Sequence, residues 1–361
     1  MIFSCEENNS YTLEGKIKQL QSRELYVVSE GSLRIDTIKA KFGFFSKTGR
    51  FSYRNTSKIA EPLLINMENG RVWVTVWVKN GEKISLSGDV NYPELILARG
   101  GEINKLLTEF KTQNLSLIKE KCELRDRLFA RTENPEDLTV NNDTHLSFQI
   151  KNIDQILKTK AQNFVETNNS SIAALELIQD YILEIENASD IQPFLDILTE
   201  EVKEIPLYVK LKNLSLKDLQ TKVNQSALDF KIRTTQNDIV SLDSFKDKYL
   251  ILTFATSKCE FCMPDLAELN NIRKIFAEKD LAILTVSLDE NKENWIDFAK
   301  QHEVTWTQAI DSVGWDSEIA SLYNVLSLPC NYLIDNKGII VGSKLQVDSI
   351  QTILTEKLNK K

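Results

Sequence analysis

Apolar and polar residues alternate over residues 11–17, 25–28 and 33–45, which predicts strands with one buried face. The strongest run is Arg71-Val72-Trp73-Val74-Thr75-Val76-Trp77-Val78, followed by Lys79-Asn80-Gly81-Glu82 and a further strand over 83–87. Asn-Gly between two such runs predicts a type I′ hairpin, because both turn positions must accept positive φ. Trp73 and Trp77 share one strand face, and the pattern assigns them to a buried sheet face rather than a ligand platform. Gly100-Gly101 ends this region, and the period then changes. Ile103, Leu106, Leu107, Phe110, Leu117 and Ile118 trace a helical stripe, and amphipathic segments follow over 145–167, 170–187 and 207–223. Pro193 and Pro206 mark breaks or first turns.

From residue 225 strands and helices alternate. Strands are expected over 228–232 and 249–254, then a helix over 263–277 carrying Leu266, Leu269, Ile272, Ile275 and Phe276 on one face. The apolar run 281–288 reads as a strand buried on both sides. A helix over 293–302, a strand over 304–310, a strand run over 326–335 and a strand over 339–342 follow. Val347, Ile350, Ile353, Leu354 and Leu358 give a closing helix. The fold class expected is therefore multidomain, with an N-terminal antiparallel β domain, an α-helical middle segment and a C-terminal α/β domain. The boundaries are a tether over 1–10, a β-domain over 11–98, a helical spacer over 99–224 and the α/β domain over 225–361.

Composition narrows the function classes. The chain has 361 residues, 42% of them apolar and 27% charged, as in an ordinary globular protein. A net charge of −8 argues against nucleic acid as a partner. With two histidines, His145 and His302, far apart, multi-histidine metal chemistry is not expected. His302 shares a helical face with Trp295 and Phe298 and reads as a core or capping residue. No Walker loop or dinucleotide fingerprint is present, and no cofactor is expected.

Candidate chemistry lies in Cys259-Glu260-Phe261-Cys262, at the junction between the strand over 249–254 and the helix after it. A helix N-terminus presents free N–H groups and the positive end of its dipole, which favour a thiolate. The five cysteines are an odd number, so a fully paired disulfide framework is excluded. Cys122 reads as a structural thiol. Cys330 is either a third thiol near the pair or, as buried free cysteines usually are, an inert apolar filler; the second reading is the stronger.

Several stretches resemble known families. Met1-Ile2-Phe3-Ser4-Cys5 resembles the end of a bacterial lipoprotein signal, which implies a lipid on Cys5, a membrane anchor and a place in the cell envelope. The β-region resembles the small β-domain that precedes thioredoxin-like domains in bacterial envelope lipoproteins. Residues 225–361 resemble a thioredoxin-like domain of the envelope thiol-disulfide oxidoreductases, the group that includes the cytochrome-c maturation reductases. The carrying residues are the Cys259–Cys262 pair after a buried strand and Leu328-Pro329 opening a strand that ends Leu333-Ile334-Asp335 before Gly338.

The resemblance implies that Cys259 attacks and Cys262 resolves, that Pro329 is cis beside them, and that Leu328 offers backbone hydrogen bonds to a bound peptide. Lys258, Glu260, Phe261 and Asp265 would support the site, with Asp265 a candidate proton shuttle. It also implies client proteins with disulfides and a membrane thiol-transfer protein as electron donor. The chain departs from the family with Lys258 in place of a usual tryptophan, Thr253 in place of a buried polar or acidic group, and Cys330 after the proline. Two other readings compete. One is an envelope binding or assembly module with a structural disulfide. The other is a thiol peroxidase suggested by Thr256-Ser257-Lys258-Cys259, although the proline that peroxiredoxins place upstream is absent.

Overall fold

The computed structural model describes residues 9–29, 34–132, 140–276 and 280–358. The chain divides into two compact units, Met1–Ile182 with Ile197–Ile205, and Leu183–Asp196 with Pro206–Lys361.

In the first unit two sheets share one apolar core. The five-stranded sheet runs in the order Lys41–Phe42, Gly49–Asn55, Tyr11–Lys18, Lys83–Asp89, Leu97–Arg99, and the four-stranded sheet in the order Arg34–Lys39, Glu24–Ser29, Glu61–Met67, Val72–Val78. Alternation explains the arrangement: Leu13 and Ile17 from one sheet meet Ile65, Val74 and Val76 from the other in a single cluster. The pairing is antiparallel except between Tyr11–Lys18 and Lys83–Asp89, which run parallel.

Two expectations are corrected here. The Asn80-Gly81 link is not a hairpin, because Val72–Val78 pairs with Glu61–Met67 whereas Lys83–Asp89 pairs with Tyr11–Lys18. Gly81 alone takes a positive φ, 88°, as the chain steps from one sheet to the other. A type I′ turn would have kept both strands in one sheet. The second correction concerns Trp73, which is 52% exposed while Trp77 is 1% exposed. Both lie on the strand face turned away from the shared core. Only the Trp77 end is covered, by Asn104, which bonds its backbone, and by Glu176, which accepts from its indole N–H at 3.0 Å.

Helices Glu102–Gln113, Leu115–Thr132, Val140–Thr167 and Ile172–Leu177 complete this unit, with Ile118, Leu124, Leu146, Ile153 and Leu157 in their core. Among the described residues no helix is long and apolar enough to cross a membrane. Glu176 is buried, and burial first, then the neighbouring Asp180, pushes its carboxyl up to about 8. A raised carboxyl pKa means that the folded state holds a proton the unfolded chain has released, so stability is lost as pH rises between about 4.5 and 8. Glu176→Gln is therefore expected to flatten the pH dependence of thermal melting across that window. It should raise stability at pH 8.5 by about 2 kcal/mol or more, because each tenfold change in proton affinity is worth about 1.4 kcal/mol. Parallel melting curves for both proteins at pH 5 and pH 8.5 check this.

The second unit is built on a five-stranded sheet in the order Thr307–Ile310, Leu281–Ser287, Tyr249–Ala255, Cys330–Ile334, Ile340–Gly342. The first three strands are parallel and the last two join antiparallel. Tyr249–Ala255 is central and buried on both faces, which is why its sequence is almost wholly apolar. Leu250, Leu252 and Phe254 face a cluster with Tyr323 and Tyr332. Ile251 and Ala255 face the opposite cluster, where the helices Cys262–Ile275, Lys292–Gln301 and Val347–Leu358 bury Leu266, Trp295 and Ile350. The His302 ring packs on Phe298, centroids 4.4 Å apart, at the C-terminal cap of its helix.

Candidate active site

The central strand ends at Ala255, and the chain reaches the helix Cys262–Ile275 through a short loop. Cys259 and Cys262 are joined by a disulfide, their Cα atoms 5.3 Å apart. Cys262 is the first residue of the helix and fully buried, while Cys259 is half-buried at the helix mouth. The backbone between them is one turn, with the Cys262 N–H donating to the Cys259 carbonyl at 3.1 Å. Lys258, Glu260 and Phe261 are exposed around the pair. The more exposed cysteine thus precedes the helix and the buried cysteine begins it.

The loop is held from below by a residue that sequence reading missed. Asp289 is buried just beyond the strand Leu281–Ser287 and accepts from the Ser257 N–H at 2.8 Å, the Ser257 hydroxyl at 2.6 Å and the Ser287 hydroxyl at 2.8 Å. A carboxylate with three donors fixes the approach to Cys259. Its place at the carboxyl end of a parallel strand was the available signal.

A second loop meets the first because of strand register. Phe254 pairs with Cys330 and Thr253 with Asn331, so the residues before Cys330 lie against the end of the central strand. Those residues are Leu328 and Pro329, joined by a cis peptide bond. Leu328 and Cys259 pack on the same apolar cluster as Cys262. Cys330 is buried, and burial pushes its thiol up to about 12, which favours the protonated form at neutral pH. Cys122 is likewise buried and pushed up to about 11. Cys5 lies outside the described residues.

Asp265, in the first turn of the motif helix, is half-buried, and burial raises its carboxyl above the ordinary range. It accepts from the Asn331 side-chain amide at 2.9 Å. Thr253 is buried opposite Asn331 in the sheet. The polar residues behind the disulfide are therefore Thr253, Asn331 and Asp265. Asn331 was not foreseen, because only the antiparallel register carries it to Asp265.

A cavity of about 630 Å³ opens beside the pair, with Phe261, Asp265, Pro329 and Asn331 in its wall. Ile185 and Glu186, far earlier in the chain, close another side. Lys344 straps this segment down: it donates to the Ile185 carbonyl at 3.2 Å and pairs with buried Asp218, which also accepts from the Ser189 N–H.

Known proteins share this arrangement of sequence. Residues 223–343 match the AhpC/TSA family. The thioredoxin-like protein YneN of Bacillus subtilis is 30% identical over 129 residues, covering 35% of this chain and 73% of that protein. The chain belongs to the thioredoxin-like thiol-disulfide oxidoreductases. The thiol-disulfide oxidoreductase ResA of Bacillus thuringiensis subsp. konkukian is 27% identical over 125 residues, covering 35% of this chain and 70% of that protein. A solved thiol-disulfide oxidoreductase from Bacteroides fragilis is 31% identical over 37% of this chain and 99% of its own, with a TM-score of 0.35. As a thiol-disulfide oxidoreductase the chain is an enzyme, and its thioredoxin-like part is the α/β unit that carries Cys259 and Cys262.

Proposed function

We propose that the chain reduces disulfides of client proteins in the cell envelope through Cys259 and Cys262. The observation that carries this reading is the asymmetry of the pair, with one half-buried cysteine before the helix and one fully buried cysteine at its start. In the dithiol state the Cys259 thiolate attacks one client sulfur, forms a mixed disulfide and expels the other client sulfur as a thiolate, which takes up a proton. The Cys262 thiolate then attacks the Cys259 sulfur, re-forms the disulfide seen here and releases the second client thiolate. Two electrons pass to the client, and a membrane thiol-transfer protein restores the dithiol. The helix N-terminus favours the Cys259 thiolate, and Lys258 adds a positive charge beside it. Asp265, raised by burial and bonded to Asn331, would hold the proton for Cys262. Leu328 and Pro329 would present the client peptide.

The envelope location and the lipid anchor rest on the Cys5 stretch and are part of the same proposal. Buried, high-pKa Cys330 speaks against a third working thiol. The test is insulin reduction with a thiol donor. The wild-type chain is expected to accelerate precipitation of the insulin B chain, and Cys259→Ser to abolish the acceleration. Equal rates for the two proteins would remove the basis for the proposal and leave the disulfide a structural one.

A further inference from the structure

In the first unit, the turn between Lys41–Phe42 and Gly49–Asn55 is built against ordinary turn chemistry. The Ser46 N–H donates to the Gly43 carbonyl at 3.1 Å, so Phe44 and Phe45 hold the two central positions. Such positions favour Gly, Asn, Asp, Pro or Ser. Phe45 has a φ of 60°, where Gly or Asn is expected at the second central position. A bulky side chain there strains the backbone. Burial does not compensate: Phe44 is 93% exposed and Phe45 97%, their rings edge to face with centroids 4.5 Å apart. A lone exposed phenylalanine needs no explanation, but two at a strained tip do.

Positive charge surrounds this tip. Between Asp36 and Glu61 the sequence carries Lys39, Lys41, Lys47, Arg50, Arg54 and Lys58 and no carboxylate, in a chain of net charge −8. Register concentrates the cations. Arg50 lies opposite Lys41 on one side and Lys16 on the other, so three cations form one row across three strands. Like charges directly opposite destabilise a sheet, and among the described residues no ion pair relieves this row. The carboxylates of this sheet are Glu14 and Asp89, and Asp89 is in register with Lys18. A groove of about 480 Å³ beside the row has Lys39, Lys41, Arg50 and Arg54 in its wall and, among the described residues, no carboxylate.

We propose that this turn docks on an anionic lipid bilayer. Phe44 and Phe45 enter the boundary between headgroups and acyl chains, and Lys41, Lys47 and Arg50 contact lipid phosphates around them. An apolar tip inside a basic collar is the chemistry of an interfacial anchor. A folded partner would need a pocket shaped for the two rings, whereas a fluid bilayer accepts a convex tip. The contact goes beyond the disulfide-reductase reading and beyond a lipid on Cys5, and depends on neither.

The experiment uses the full chain carrying Cys5→Ser, so that no lipid at that position contributes. It is floated with vesicles of phosphatidylcholine alone or mixed in equal parts with phosphatidylglycerol. Binding to the mixed vesicles is expected to be about tenfold or more above binding to phosphatidylcholine, and to weaken as salt rises. Phe44→Ser/Phe45→Gly should lose about tenfold in binding. It should melt no lower than the parent chain, because glycine relieves the turn. Lys41→Gln/Lys47→Gln/Arg50→Gln should bind both kinds of vesicle alike. The proposal is overturned if the parent chain binds no vesicles, if either variant binds the mixed vesicles as the parent does, or if the aromatic variant melts lower. Dimerisation or oligonucleotide binding that the aromatic variant loses, with no vesicle binding by the parent, also overturns it and reassigns the turn. Insulin reduction should be the same in all three chains. Vesicle binding by a chain that reduces no insulin supports the docking turn and removes the reductase reading instead.

Discussion

A Cys262→Ser chain is expected to stop turning over and to accumulate a covalent adduct with its client. The buried position of Cys262 at the first residue of the helix, one turn from Cys259, makes resolution intramolecular. Well-placed intramolecular groups act at effective molarities of about 10⁵–10⁸ M, so a millimolar external thiol is a poor substitute. Turnover should fall by at least about a thousandfold. Intact-mass spectrometry should find one client per chain, attached at Cys259, and Cys259→Ser should give no adduct. An adduct at Cys330, or none with Cys259 present, would reverse the assigned roles. Burial holds the Cys330 thiol up near 12, so it should stay unlabelled in both variants.

The second large effect is on stability. Lys344→Met is expected to destabilise the α/β unit by about 3–5 kcal/mol at pH 7, the usual cost of leaving a buried charge without its partner. Side-chain exposure is 9% for Lys344 and 2% for Asp218, so water cannot replace either. Burial by itself raises the Asp218 carboxyl, but bonds from Lys344 and Ser189 outweigh it and hold it below the usual range. A depressed carboxyl contributes stability above its unfolded pKa and loses it as pH falls through the folded value. Without Lys344 the sign reverses. Burial is then opposed by the Ser189 bonds alone, and Lys344→Met should recover part of its loss on acidification from pH 7 to 4.5, where the wild-type chain gains nothing from this residue. Adding Asp218→Asn should restore most of the stability at pH 7. Urea unfolding of the three proteins at both pH values measures this. A loss under about 1 kcal/mol for Lys344→Met would mean that the pair is not desolvated.

The parts of this molecule that could be read from the chain are those governed by local periodicity. The mainly apolar strand Tyr249–Ala255, the thiol pair after it and the apolar stripe of the next helix sit within one short stretch, and with Leu328-Pro329 far along the chain they carried the resemblance to a thioredoxin-like unit. The β-region and the helical middle were legible for the same reason. Failures came where tertiary context overrides local signals. Asn80-Gly81 carries hairpin chemistry, but the strand after it finds its partner in Tyr11–Lys18. Trp73 and Trp77 have the same periodicity, and only covering helices separate the buried one from the exposed one. Asp289 and Asn331 carry no local signal in the chain. Their importance comes from register and from what they bond once folded. Lys344 and Asp218 are 126 positions apart, too far for any spacing rule to connect.

The order in which the chain visits its two units limits how the enzyme can be taken apart. Leu183–Asp196 belongs with the α/β unit, Ile197–Ile205 returns to the first, and Pro206 re-enters the second. No single scission, by a protease or by a recombination event in the gene, releases the α/β unit whole. A fragment starting at residue 206 keeps the disulfide and Asp218 but loses Ile185, Glu186 and Ser189. One starting at 225 also strands Lys344 without its counter-ion. The thiol pair and most of the wall beside it lie after residue 206, but Ile185 and Glu186 come to that wall only with the earlier segment.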